Sequence, residues 1–178
     1  NRGVGLEMTR QLLHRGERVI ATCRQPSKAV LLQALDEQFP EQLIILPLDV
    51  TNLASIQSAC HAVQRIATCL DVLINNSGVL DREETLATFD PEVMVHTFDV
   101  NVTGTMRVIS QFLPFLENAE GAKIVNISSQ LGSLQKMKAH WGRYSYNSSK
   151  AALNMLTRML AFDLEDKDIT VICIHPGW

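Results

Sequence analysis

Leu43-Ile44-Ile45-Leu46-Pro47-Leu48 is a six-residue run with no charged or hydrogen-bonding side chain. A strand with one wet face alternates apolar and polar residues. A strand without that alternation is covered on both faces, as in a parallel sheet packed between helices. Four other short β-prone runs, at 19–23, 72–75, 123–127 and 170–174, alternate just as weakly. Helical patterns lie between them. The stretch 5–15 opens directly on glycines, while 29–39 and 53–67 carry apolar residues at three- and four-residue spacing. A long helix is expected over 91–116, with Pro91 in its first turn, and another over 145–165. Asp71 and Gly121 fall in short connections, and no repeat or linker interrupts the rhythm.

This alternation predicts one α/β domain over 1–178. Its expected form is a Rossmann-like, doubly wound parallel sheet in three layers (α/β/α), with right-handed crossovers. The two ends qualify the expectation. Asn1-Arg2-Gly3-Val4-Gly5-Leu6-Glu7 is a glycine-rich turn entering a helix, with no strand before it. The last residues, His175-Pro176-Gly177-Trp178, directly follow the fifth strand. The sequence therefore reads as a fragment of a longer protein, its sheet incomplete at both ends.

Composition narrows the function. Of 178 residues, 46% are hydrophobic and 20% charged, and the net charge is −3, which offers no basic surface to nucleic acid or anionic lipid. No apolar run approaches the ~20 residues of a membrane helix, and no signal peptide is visible. The four cysteines, Cys23, Cys60, Cys69 and Cys173, form neither a CxxC pair nor a metal-spaced cluster with histidine. Cys23 and Cys173 lie in apolar strand segments and read as reduced, buried thiols of a cytoplasmic protein. No metal site is expected.

Two elements point to chemistry. Gly3-x-Gly5 at a helix start suits a pyrophosphate, because glycines let the anion approach the backbone and the helix end offers N–H groups; alone it could equally be a tight turn. Tyr146 and Lys150 stand four residues apart in Tyr144-Ser145-Tyr146-Asn147-Ser148-Ser149-Lys150, so on a helix they are neighbours. An ammonium beside a phenol, which ordinarily titrates near ~10, can make it a usable acid or base nearer neutral pH. Tyr144 is a rival phenol, but Ser148 occupies its partner position.

These segments, in this order, resemble the short-chain dehydrogenase/reductase family in its classical form. The resemblance is carried by Asn1 to Gly5, Leu48-Asp49-Val50-Thr51, Leu73-Ile74-Asn75-Asn76-Ser77-Gly78, Asn101-Val102-Thr103-Gly104, Val125-Asn126-Ile127-Ser128-Ser129, Tyr146 to Lys150 and His175-Pro176-Gly177. It covers the whole chain. Ser129-Gln130-Leu131-Gly132-Ser133, Ser149-Lys150-Ala151-Ala152-Leu153-Asn154-Met155 and Pro176-Gly177-Trp178 are most similar to the C-factor-like and sniffer-like carbonyl reductase branch. Asn76-Ser77-Gly78 has serine where the family usually has alanine, and the family's first glycine, ahead of Asn1, is missing.

The resemblance implies hydride transfer between a nicotinamide cofactor and a carbonyl or alcohol. By matching positions, Ser129 would bind the substrate carbonyl and Tyr146 would donate or accept the proton. Lys150 would assist Tyr146 and hold the nicotinamide ribose, and Asn101 would link a proton-relaying water to the lysine. Ser128 competes with Ser129 by adjacency, and Asn101 alone could be only a buried, satisfied amide. Cofactor contacts would come from Asn1, Arg2, Gly3, Val4, Gly5, Arg24, Asp49, Val50, Asn76, Ser77, Gly78, Pro176, Gly177 and Trp178, besides Tyr146 and Lys150. Cys23-Arg24 stands where NAD-dependent members carry an acidic residue. Arg24 can fork onto a 2′-phosphate and Arg2 matches a second basic position, so NADP(H) is preferred, with NAD(H) possible.

Oligomeric state, substrate and role complete the expectations. Helix 145–165 is apolar nearly all round, so a partner subunit meeting it and helix 91–116 would form a homodimer or tetramer. The segment 132–143, with Leu134, Met137, Trp141, Lys136, Lys138, His140 and Arg143, reads as an exposed loop; its sharper reading is a preference for acidic carbonyl substrates. A non-catalytic cofactor-sensing or signalling role on the same fold is the alternative function, and an inactive remnant is a third possibility.

Overall fold

A computed structural model describes residues 1–178 except Arg82, His140, Trp141 and Trp178. Its elements run α1 (Gly3–His14), β1 (Val19–Cys23), α2 (Val30–Gln38), β2 (Leu43–Pro47), α3 (Leu53–Gln64), β3 (Val72–Asn75), α4 (Pro91–Phe98), a π-helical turn (Asp99–Thr103), α5 (Gly104–Glu117), β4 (Lys123–Ile127), α6 (Tyr144–Asp163) and β5 (Thr170–Ile174). All five expected strands form. Every strand pair is parallel and consecutive strands are joined through helices, the Rossmann-like α/β arrangement.

The chain divides into two compact units, Asn1–Ile66 and Ala67–Trp178. In the first, β1 and β2 pair in register from Val19 opposite Leu43 to Cys23 opposite Pro47. Leu13 from α1, Leu32 and Leu35 from α2, and Cys23 and Leu43 from the strands close its core. In the second, the strand order is β3-β4-β5. Its core joins Ile109 and Leu116 of α5 with Ile124 of β4, Val171 of β5, and Leu164 and Ile169 from the segment after α6. α6 packs on β5 and against α4 and the π-turn.

Three expectations need correction. The helix over 91–116 is not one continuous α-helix: the π-turn at Asp99–Thr103 separates α4 from α5. Burial on both strand faces holds along β4, where Ile124, Asn126 and Ile127 are buried; β1, β2 and β3 are mostly half-buried, with only Cys23, Leu43 and Asn75 buried; and it fails for β5, where Val171 is buried while Ile172 and Ile174 are exposed. Among the described residues β5 pairs with β4 alone and packs on α6, so its side chains meet less cover than those of β4, which has a strand on each side. For the same reason Cys173 is exposed rather than buried; Cys23 is buried, and Cys60 and Cys69 are intermediate. Among the described residues no helix is long and apolar enough to cross a membrane.

Candidate active site

The buried face of α6 is Ser145, Ser149, Lys150, Leu153 and Thr157, a helical stripe of mostly polar residues. Such a stripe is stable only if its groups are satisfied inside the fold. Lys150, 4% exposed, donates from Nζ to the Ile127 carbonyl at 2.8 Å, at the end of β4. Burial pulls its ammonium down from the ordinary 10.5 to about 8, because removing a cation from water favours its neutral form. Nζ lies 5.7 Å from the centre of the Tyr146 ring. Tyr144 turns elsewhere, its ring meeting the edge of Phe89 at 6.5 Å between centres, so only one of the two phenols is at the site.

The end of β4 separates the two competing serines. Ser128 is buried and donates from Oγ to Asn154 Oδ1 at 2.5 Å, while the Asn154 amide donates to the Gly132 carbonyl at 3.3 Å. Ser129 keeps its hydroxyl at the surface of the site, where among the described residues it accepts only from the Leu131 N–H at 3.2 Å. Asn154 thus ties the strand end to the turn after it, and Ser129 sits between the two tied points. Gly132 packs directly on the α6 backbone: a Cβ there would lie 2.6 Å from the Lys150 carbonyl carbon and 2.8 Å from the Ala151 nitrogen.

Asn101 sits in the π-turn, fully buried. Its Oδ1 accepts from the Val79 N–H at 2.8 Å, and its Nδ2 donates to the Val79 carbonyl and to Ser149 Oγ, both at 3.0 Å. Ser149 Oγ in turn donates to the Tyr146 carbonyl at 2.7 Å. The extra residue of a π-turn displaces local side chains from α-helical register, a feature often found at functional sites. Gly78 lies beside this network, where a Cβ would meet Asn101 Oδ1 at 3.4 Å and Lys150 Nζ at 3.6 Å.

A cavity of about 240 Å³ is lined by Asn76, Gly78, Val79, Leu80, Ser129, Tyr146, Lys150, His175, Pro176 and Gly177, among others. Ser129, Tyr146 and Lys150 therefore share one cavity with Asn76, Gly78, Pro176 and Gly177, and Asn101 supports it through Val79 and Ser149. Ser77 is exposed beside it, and Trp178 lies outside the described residues. The other sequence-nominated residues belong to the first unit. Gly3, Val4 and Gly5 open α1, Asn1 and Arg2 precede it, Arg24 follows β1 in an exposed position, and Asp49 and Val50 follow β2. The Asp49 carboxylate is held by Thr51, which donates from its N–H at 2.9 Å and its hydroxyl at 2.7 Å.

The glycine turn suits an anion. Arg2 is extended with no side-chain cap, Gly3 has φ +53°, and a Cβ at Gly3 would meet nothing within 4 Å. The first N–H groups of α1 are thus approachable. A separate cavity of about 500 Å³, lined by Gln130, Leu131, Gln135, Lys136, Met137 and Lys138, runs along the loop after Ser129. There Leu134, Lys136 and Lys138 are exposed, and His140 and Trp141 lie outside the described residues.

Several residues that build this site were not legible in the sequence. Asn75 Nδ2 donates to Asn126 Oδ1, and Asn126 Nδ2 to Thr157 Oγ1, both at 2.9 Å, a buried polar chain from β3 through β4 to α6. Asn75 and Asn126 lay inside the quoted motifs, but their pairing is visible only across strands. Glu84 left no signal: it stands in a charged run, Asp81-Arg82-Glu83-Glu84, that reads as a solvated loop.

The sequence model of a family described as short chain dehydrogenase matches residues 1–178. An uncharacterized oxidoreductase of Schizosaccharomyces pombe is 34% identical over 178 residues, covering 99% of this chain and 70% of that protein. Among solved structures, the NADPH-bound carbonyl reductase from chicken fatty liver aligns with TM-score 0.92 at 36% identity, over 99% of this chain and 76% of the other. The carbonyl reductase Sniffer of D. melanogaster aligns with TM-score 0.94 at 28% identity, over 99% and 77% respectively.

Proposed function

This chain belongs to the short chain dehydrogenase family of oxidoreductases, and on that premise we propose that it reduces an aldehyde or ketone to an alcohol with NADP(H). The observation that carries this reading is the shared cavity of Tyr146, Lys150 and Ser129, with the lysine ammonium buried and anchored at the end of β4. A carbonyl becoming an alkoxide needs a donor to its oxygen and then a proton. Ser129, its hydroxyl not committed to the fold as that of Ser128 is, binds the carbonyl oxygen. Tyr146 supplies the proton, and the Lys150 charge favours the phenolate left behind. Asn101 Oδ1 and Lys150 Nζ face the same space beside Gly78, where a water returning protons to the lysine would sit.

The cofactor, when bound, supplies the hydride. The α1 turn from Asn1 to Gly5 would hold the pyrophosphate through backbone N–H groups, and Arg2 and Arg24 would hold the 2′-phosphate. Asp49 and Val50 would flank the adenine, and Asn76, Ser77, Gly78, Pro176, Gly177 and Trp178 would line the rest. The NADPH in the chicken liver carbonyl reductase supports this cofactor choice. α6 exposes Met155, Met159 and Phe162 at successive turns, and α4 exposes Val95; these apolar faces fit a homodimer or tetramer, measurable by light scattering.

The decisive experiment is Tyr146→Phe. It should lower kcat for carbonyl reduction by about 10²- to 10⁴-fold, the usual contribution of a positioned acid, with NADPH binding intact. Turnover equal to wild type would overturn the mechanism. NADPH binding without turnover on any carbonyl would favour a cofactor-sensing role instead.

A further inference from the structure

α6 begins without help from its own sequence: Arg143, its N-cap residue, makes no side-chain cap. The first N–H groups of a helix have no partner inside it and must find one elsewhere. Here that partner is a carboxylate 61 residues away in sequence. Glu84, 2% exposed, accepts from the Ser145 N–H at 2.8 Å through Oε2 and from the Ser145 hydroxyl at 2.5 Å through Oε1. Ser145 itself is 1% exposed. A buried charge is expensive unless fully bonded, and a helix N-terminus is the place in a fold that best stabilises a negative one.

The attachment has further points. The Glu84 N–H donates to the Gly142 carbonyl at 2.6 Å. Gly142 takes φ +61°, and a Cβ there would come 3.4 Å from the Glu84 carbonyl oxygen. Phe89 meets Tyr144 one position before Ser145. At its other end the same segment is pinned at Val79 by Asn101, and Asn101 returns to α6 through Ser149 and the Tyr146 carbonyl. The hydrogen bonds thus join Asn101 to Val79, Glu84 to Ser145, and Ser149 back to Asn101, enclosing the turn that carries Tyr146. Lys150 is fixed independently, one turn on, by the Ile127 carbonyl.

We propose that Glu84 is a positioning residue for the proton-transfer step: its buried carboxylate locks the first turn of α6 and so holds the Tyr146 phenol in register with Lys150 and Ser129. This rests on the carbonyl reductase function proposed for the chain. Without the carboxylate, the helix start carrying Tyr146 frays, while Lys150 keeps its own anchor at the Ile127 carbonyl and the α1 turn takes no part in the bonds that hold Glu84.

The test compares Glu84→Ala, Glu84→Gln and Ser145→Ala in the full-length protein. It reads kcat for NADPH-dependent carbonyl reduction, KM for NADPH, and hydrogen exchange of the amides of 145–150. Glu84→Ala should lower kcat by about tenfold or more, inside the ~10²-fold that a displacement of about 1 Å can cost. KM for NADPH should move far less, and exchange at 145–147 should quicken. Glu84→Gln should restore most of kcat, because its carboxamide oxygen still accepts from the Ser145 N–H. Wild-type kcat in Glu84→Ala overturns the inference. So does a Glu84→Gln variant as impaired as Glu84→Ala, since shape and bonding, not charge, are what it must retain. If Glu84→Ala does not fold, Ser145→Ala decides, because it removes only the hydroxyl: reduced kcat at unchanged KM supports the inference, and wild-type kcat overturns it. In a protein that binds NADPH but reduces no carbonyl, the reductase reading falls by itself; faster exchange in Glu84→Ala then still supports the lock, and unchanged exchange overturns it.

Discussion

Helices α1 and α6 both open without a cap from their own N-cap residue, Arg2 in one case and Arg143 in the other. Beyond that shared lack the two helix starts diverge. At α1 the turn is glycine-rich and exposed, and among the described residues no side chain accepts from the N–H groups of Gly3, Val4 or Gly5. At α6 a buried glutamate from a distant loop takes the Ser145 N–H and hydroxyl. The same physical need, orphan donors at a helix start, is left open at one helix and answered internally at the other. An open end is free to receive an external anion. A closed end cannot bind one and instead fixes the side chains of its first turn. Under the proposed function, the open end of α1 would receive a ligand phosphate and the closed end of α6 would hold a rigid acid.

The contrast can be tested by where a change is felt. Near α6, changes should strike the fold or the chemistry. Gly132→Ala puts a methyl 2.6 Å from the Lys150 carbonyl carbon, against backbone that cannot swing aside. It should cost about 1–3 kcal/mol, the range for overpacking, and lower kcat as α6 shifts; urea denaturation with unchanged stability would count against the packing described. Lys150→Met should do the reverse for stability while abolishing activity. The folded-state value of Lys150, about 8, lies below its unfolded value of 10.5. Below pH 8 both states hold the proton and the folded state bears the full desolvation cost. Between 8 and 10.5 only the unfolded state keeps it, so stability of the wild type rises with pH across that window. Lys150→Met should therefore be more stable by about 1–3 kcal/mol at pH 7, reduced by the bond lost to Ile127, and the gap should close toward pH 10.5. Denaturant melts at both pH values measure it.

Near α1, changes should be felt by the cofactor and hardly by the fold. Arg24→Ala should raise KM for NADPH by about tenfold, corresponding to a charge-assisted hydrogen bond of roughly 1.5 kcal/mol, and leave KM for NADH nearly unchanged. An equal loss for both cofactors would remove Arg24 from the 2′-phosphate. The smallest effect on the fold belongs to Gly3→Ala. Nothing lies within 4 Å of the added methyl, so only the left-handed backbone at φ +53° resists it, costing about 1 kcal/mol in thermal melts.

Much of this could be read before folding. The five strands were legible because short, β-prone apolar runs such as Leu43 to Pro47 mark a strand from local sequence alone, and four of the five expected ranges coincide with the observed ones. The pairing of Tyr146 with Lys150 was legible because i and i+4 on a helix are neighbours wherever the helix goes. The break in helix 91–116 was not: Asn101 in its π-turn is satisfied by Val79 and Ser149, and neither is near it in sequence. The exposure of Cys173 escaped for a related reason, since the cover over a strand comes from elements distant in sequence.

The sequence alone determined the class of the fold, the helix bearing Tyr146 and Lys150, and the glycine turn at α1, because each depends on residues within one or two turns of one another. Only the tertiary structure decided which serine is free, that Gly132 must lack a side chain, and that Glu84 closes the start of α6. Ser128 with Asn154, Gly132 with Lys150, and Glu84 with Ser145 are separated by 26, 18 and 61 positions. Contacts at such separations arise from packing, whose register no local pattern encodes.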